Sequence, residues 1–373
     1  MKKILLAAFL SCFTFVTFAQ DYQFKTTVDL EATPVISQGR TGTCWSFSAS
    51  SFLESEIIRL TGKQIDISEM YNVRNTYPKK AWNYVMRQGK AQFSEGGLAH
   101  DVMNAVKSNG LVPNSAYSGL QILQETHNHV EMIAVLKAML NAYIKNPGKK
   151  LSLNWKRAIE SVLDIYLGER PASFLYDGKT YTPQSFLEMT KINPDDYVTI
   201  TSFTHQPYYK SFILNIPDNF SNGSFYNVTL DELVAVTKNA LKTGYTVELD
   251  CDVSEATFSA KYGIATIPET PVADRKSFTG EVRKEKSISE RYRQQEFENF
   301  TTTDDHLMHI TGLATDQNGN EYFRVKNSWG SNTKRVPNDG HVNMSESFFR
   351  LKTISVMVHK DALPKALRSK LGL

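Results

Sequence analysis

The sequence predicts an α+β protein, with helices in the first half of its 373 residues and strands in the second. Three observations carry this. Trp45, Phe52, Leu53, Ile57 and Leu60 recur at helical spacing until Thr61-Gly62 stops the pattern. A second helical period runs over 120–167, through Ile122, Val130, Ile133, Leu136, Leu140, Trp155, Ile159 and Leu163, and is divided by the breaker Asn146-Pro147-Gly148. From residue 245 onward the pattern changes to short β-type segments: 245–253 alternates and is rich in β-branched residues, 306–314 and 321–327 form a pair, and 340–344 and 353–359 add more.

In chain order, Met1-Lys2-Lys3 and the apolar run 4–19 read as a secretory signal, with a cut expected ahead of Gln20. This predicts export to the periplasm or the extracellular space. The run is too short to span a bilayer comfortably. A lipid anchor at Cys12 is disfavoured, because the apolar core before it is very short and residues 13–18 would continue it past the cut. Residues 20–37 are too few for an inhibitory pro-domain. Ser68 is a candidate N-cap for a helix after Ile67. Ser94-Glu95-Gly96-Gly97 precedes an apolar helix that ends at Asn109-Gly110, and a Gly-Gly pair there lets another group approach the backbone closely.

Composition excludes some functions. Lys and Arg exceed Asp and Glu by three, and two of those three are Lys2 and Lys3. The remainder is close to neutral, which argues against a nucleic-acid or anionic-membrane surface. No later stretch is apolar enough to span a membrane. The cysteines and the eight histidines show no C-x-x-C or H-E-x-x-H spacing, so neither a metal nor another cofactor is expected.

The stretch that organises the chain is Gln38-Gly39-Arg40-Thr41-Gly42-Thr43-Cys44-Trp45-Ser46-Phe47. Cys44 sits where a loop becomes the N-terminus of a buried helix, a position that favours a thiolate. Gln38, one loop upstream, can donate its amide N–H to an oxyanion. Far downstream stand Asp305-His306-Leu307-Met308 and Lys326-Asn327-Ser328-Trp329-Gly330. This set resembles the papain-like cysteine peptidases. The resemblance implies Cys44 as nucleophile, His306 as base, Asn327 as the residue that orients the base, and Gln38 as oxyanion donor. It also implies peptide substrates, with Gly96, Gly97, Trp45 and Asp305 as substrate contacts. The long insertion, residues 166–198, His205-Gln206-Pro207-Tyr208 and Cys251-Asp252-Val253 are similar to bleomycin hydrolase and bacterial aminopeptidase C. The expected architecture is therefore a papain-like two-lobed fold with a helical insertion: a signal over 1–19, a helical lobe over 20–119, the insertion over 120–235 and a β-rich lobe over 236–373. Hexameric rings are implied by the same resemblance alone.

Three expectations can be checked by geometry. His306 and His309 fall on opposite faces of their strand. A disulfide between Cys44 and Cys251 would consume the nucleophile, so none is expected, and Cys251 reads as a buried structural thiol. A two-residue turn at Asn318-Gly319 would set Ile310 opposite Asn327, so placing His306 there calls for a wider loop centred near Asp316-Gln317. The function expected is peptide-bond hydrolysis, by aminopeptidase and also endopeptidase action, because the tail 365–373 has helix formers and a short reach. The alternatives are a catalytically weak peptide-binding protein on the same fold and an acyl-transferring enzyme.

Overall fold

The computed structural model describes residues 22–146, 148, 150–270, 272, 282–331, 336 and 338–373. The signal, Cys12, the cut before Gln20 and Pro147 lie outside the described residues. The chain runs through β1 (Lys25–Asp29), α1 (Cys44–Thr61), α2 (Glu69–Met86), α3 (Ala99–Asn109), α4 (Val130–Ile144) and α5 (Asn154–Leu167). A hairpin of β2 (Phe174–Tyr176) and β3 (Lys179–Tyr181) and then α6 (Pro183–Thr190) complete the helical side. Next come β4 (Tyr197–Thr201), β5 (Ser211–Ile213), β6 (Ser224–Asn227), α7 (Leu230–Lys242), β7 (Val247–Cys251), β8 (Phe258–Ser259) and β9 (Ile264–Ala265). The chain ends through α8 (Glu290–Glu298), β10 (His306–Thr315), β11 (Glu321–Lys326), β12 (His341–Ser345), α9 (Glu346–Lys352), β13 (Thr353–His359) and α10 (Lys365–Leu371).

Eleven strands form one sheet in the order β5-β6-β4-β13-β7-β10-β11-β12-β9-β8, with β1 also paired to β10. One apolar core lies between this sheet and α1–α6; it includes Leu307, Ile354 and Met357 from the strands. A second core on the other side holds α7, α9 and α10 with Met308, Ile310 and Val356. Leu307 and Met308 alternate between the two cores, as the pleat of β10 requires. Helix α1 is buried over most of its length because it is wedged between α2, α3 and the sheet. Gly62 ends it in the left-handed conformation, donating its N–H to Ile58 O at 2.7 Å. Ser68 caps α2 by accepting from the Tyr71 N–H, as expected.

Two expectations are corrected. The helical period over 120–129 is not a helix: Ile122 and Leu123 are 93% and 98% exposed, Leu123 has φ 71°, and α4 begins only at Val130. Apolar spacing misled here because those side chains bury nothing. The stretch expected as a helical insertion over 120–235 carries α4, α5 and α6 with the β2–β3 hairpin between α5 and α6, and from Tyr197 to Asn227 it contributes β4, β5 and β6 to the main sheet.

Candidate active site

Cys44 is the first residue of α1, and the loop before it is held from three directions. Gln38 N–H donates to Ser328 O at 2.9 Å and Ser37 bridges Trp329, so the loop is zipped to the Asn327-Ser328-Trp329 segment. Arg40 N–H donates to His127 O at 2.8 Å; a Cβ on Gly39, whose φ is 67°, would collide with that carbonyl. Gly42 N–H donates to Glu95 Oε2 at 2.5 Å, and Trp45 Nε1 donates to Glu95 O at 2.9 Å. Glu95 thus fastens both sides of Cys44. Gly97 is required next to it, because an added Cβ would stand 3.0 Å from the Trp45 ring.

The base side is equally specific. His306 Nε2 lies 2.8 Å from Asn327 Oδ1, and both residues are buried. The same oxygen accepts the Ser328 N–H at 2.7 Å, which fixes the amide with its oxygen toward the ring. An acceptor at Nε2 requires the proton there and leaves the lone pair on Nδ1. The Trp329 ring covers His306 with centroids 4.9 Å apart. The Cys44 sulfur meets the N–H of Leu307, the residue after His306. Ser328 Oγ donates to Gln38 Oε1 at 2.5 Å, while Gln38 Nε2 donates to Thr41 O at 2.7 Å and keeps its second hydrogen. Gln38, Cys44, His306 and Asn327 are therefore brought together.

Register reaches this result by another route than expected. The β10–β11 loop runs over 316–320, built on Asp316 Oδ1, which accepts from the Asn318 and Asn320 N–H groups at 2.9 Å. A bulge between Ile310 and Gly312 then shifts the pairing so that His309 stands opposite Lys326. The loop is wider than a two-residue turn, as expected, but it is centred on Asn318 and not near Asp316-Gln317. Strand β11 ends at Lys326, and Asn327 reaches His306 through its side chain rather than as a Cα partner.

Electrostatics also corrects a simple expectation. Burial pushes the Cys44 thiol up to about 12; the Asp304 and Asp218 charges add to this, against the Leu307 and Trp45 N–H groups. The helix terminus alone does not make a thiolate. Burial likewise holds His306 below its ordinary value, opposed by Asn327 and Asp305. Each group on its own is neutral at pH 7, and the chemistry open to them is transfer of the thiol proton to Nδ1.

The other expected contacts divide. Trp45 is fully buried and packs under Gly97. Gly96 O accepts from Lys80 Nζ, and its Cα faces the Asp218 carboxylate. Asp305 is exposed and its Oδ2 accepts the Val253 N–H at 3.2 Å. His309 lies on the opposite face from His306, in a cavity of about 300 Å³ behind α1. Its Nδ1 and Ser51 Oγ share a hydrogen bond at 2.9 Å, and Ser51 Oγ also accepts from Lys326 Nζ at 2.7 Å. Glu54, Asp66 and Glu69 bring carboxylate oxygens within 4.8 Å of one another at this cavity, and Lys326 supplies a cation beside them. Cys44 and Cys251 are both free and buried. Sequence reasoning missed Glu95, Ser328 and His127; the first two adjoin its motifs, whereas nothing local marks His127.

Comparison with known proteins now decides the family. A model described as the Peptidase C1-like family matches residues 83–372. The chain belongs to this family. It is 22% identical to Aminopeptidase C of Listeria innocua, over 89% of this chain and 81% of that one. It is 23% identical to the mitochondrial Cysteine proteinase 1 of Saccharomyces cerevisiae, over 93% of this chain and 79% of that one. The crystal structure of PepW from Lactobacillus rhamnosis HN001 superposes with a TM-score of 0.72 at 19% identity, covering 93% and 84% of the two chains. The fold is therefore papain-like, and the protein is a cysteine peptidase of the aminopeptidase C type.

Proposed function

We propose that this peptidase is exported and cleaves peptide bonds through Cys44, His306 and Asn327, with Gln38 and the Cys44 backbone N–H stabilising the oxyanion. The observation that carries this is the buried His306–Asn327 pair at 2.8 Å, whose polarity leaves Nδ1 as the base. Cys44 passes its proton to His306 as it attacks the carbonyl. His306 protonates the leaving amine and then activates the water that releases the acyl group. The second Gln38 N–H meets the oxyanion.

Residues 365–373 bear on exo- against endopeptidase action. Leu367 and Leu371 are buried in the core that contains α7, and Lys370 pairs with Glu232 of α7 at 3.1 Å. These residues pack on α7, and peptides blocked at the N-terminus are proposed as substrates as well as free ones. The test is digestion of one defined peptide, free and N-acetylated, by wild-type and Cys44→Ala protein, with mass analysis. Wild type is expected to cut both and the variant neither. Undiminished cleavage by folded Cys44→Ala would overturn the mechanism, and an untouched acetylated peptide would make the enzyme a strict aminopeptidase.

A further inference from the structure

The loop that presents Cys44 has no tie of its own at the helix start. Thr43, in the N-cap position of α1, makes no side-chain cap; its hydroxyl pairs instead with Thr41 Oγ1 at 2.6 Å. The first turn of α1 holds no acidic residue, and Cys44 and Cys251 are both free, so no disulfide between them closes the loop. The tie comes from a segment 53 residues downstream of Gly42. Glu95 Oε2 accepts the Gly42 N–H at 2.5 Å, and no other donor among the described residues reaches this carboxylate. A Cβ on Gly42 would stand 3.0 Å from Glu95 Cβ, so the two backbones are packed as closely as they can be. The Glu95 side chain is 18% exposed. Burial raises its carboxyl above the ordinary range, and the Gly42 N–H opposes that rise. Behind it stands the buried His129 ring, with Nδ1 3.9 Å from the same oxygen, beyond hydrogen-bond reach. Burial pushes His129 down to about 3, so the ring is neutral and does not draw the oxygen away from Gly42. A partly buried carboxylate is costly to keep, and a charge-assisted N–H bond this short is of the strong kind.

We infer that Glu95 is a positioning residue for the Cys44 reaction: by holding Gly42, its carboxylate aims Gln38 and the Cys44 backbone N–H at one point. This rests on the peptidase reading above and adds a residue to it. Gly42 lies between those two donors in the chain, and the carbonyl of the same Glu95 takes Trp45 Nε1 on the far side of Cys44. Glu95 acts through the backbone it holds, and a shift of about 1 Å in such a site costs on the order of 10² in rate.

The test measures kcat and KM for wild type, Glu95→Ala and Glu95→Gln on one fluorogenic dipeptide amide. Active sites are counted by complete labelling of Cys44 with a thiol-reactive epoxide, and amide hydrogen exchange is followed over residues 39–45. Glu95→Ala is expected to lower kcat per labelled site by ~10–100-fold, the scale of one hydrogen bond to a charged group, with KM within a few-fold and faster exchange at Gly42. Glu95→Gln keeps an oxygen for the Gly42 N–H and is expected to recover most of the loss. A residue that only stabilised the fold would lower the number of labelled sites and leave kcat per site unchanged. That result, or a Gln variant as impaired as the Ala variant, would overturn the inference, as would Gly42 exchange that is equal in all three proteins. No hydrolysis by wild type, with Gly42 exchange still faster in Glu95→Ala than in Glu95→Gln, would sink the peptidase reading and leave the hold on the loop standing.

Discussion

His306 and His309 stand three residues apart on β10, and both are buried, yet only one is equipped for chemistry. His306 meets an amide oxygen at Nε2, is roofed by Trp329, and has Cys44 at the next residue's N–H. His309 faces the other side of the sheet, shares a hydrogen bond between its Nδ1 and the Ser51 hydroxyl, and lines a cavity with Glu54, Glu69 and Lys326. Burial and the nearby Lys326 and His341 charges hold it well below its ordinary value, so it stays neutral. Burial therefore does not distinguish a catalytic histidine from a structural one. The polarity of its partner and the face of the strand do.

The largest way to break this comparison is to exchange the losses. His306→Ala is expected to lower kcat/KM by about 10²–10⁴, the range for a general acid–base group. His309→Ala is expected to leave kcat/KM within a few-fold and to lower stability by about 1–3 kcal/mol, through the buried Ser51 hydroxyl that loses its imidazole partner. Loss of activity in His309→Ala with an unchanged melting temperature would contradict the assignment. Next in size, Gln38→Ala should cost about 10²–10³ in kcat with little change in KM. A change in KM alone would mean that Gln38 only ties its loop to Ser328.

The pH profile sharpens the same contrast with a smaller effect. Burial lowers His306, so the imidazole is already unprotonated somewhat below pH 6.5 and available to take the thiol proton. The acid limb of kcat/KM is expected below pH 6.5, with activity lost as pH falls through it. Burial raises Cys44, so the alkaline limb lies above the usual thiol range. An acid limb above pH 6.5 would contradict the desolvated site.

Much of this was legible in the sequence. The α1 boundaries, the Ser68 cap, and strands β7, β10, β11, β12 and β13 follow from periodicity and from punctuation by Gly62 and Gly110. The α+β class and the peptidase family followed from motifs that stand far apart in the chain. What was hidden is instructive. The spacing of Ile122 gives no sign that the side chain lies in solvent. The bulge in β10 that sets the His306–Asn327 geometry depends on how β1 and β11 pair with it, which no local window contains. Short strands such as β5 and β9 exist only because neighbours offer them hydrogen bonds. The raised Cys44 thiol reflects its burial first and the Asp304 and Asp218 charges second, which no helix-terminus argument could supply.

The central claim is that Cys44 is the nucleophile and is activated by His306. The chain carries its own control, since Cys251 is a second free thiol, fully buried against Met308 and Val356 in the sheet core. The most direct measurement is alkylation of the native protein with a thiol-reactive epoxide, followed by mass mapping and residual peptidase activity. Modification of Cys44 alone is expected, in step with loss of activity, and much slower in His306→Ala protein. Alkylation of Cys251 at a comparable rate, or activity that survives full modification of Cys44, would contradict the account.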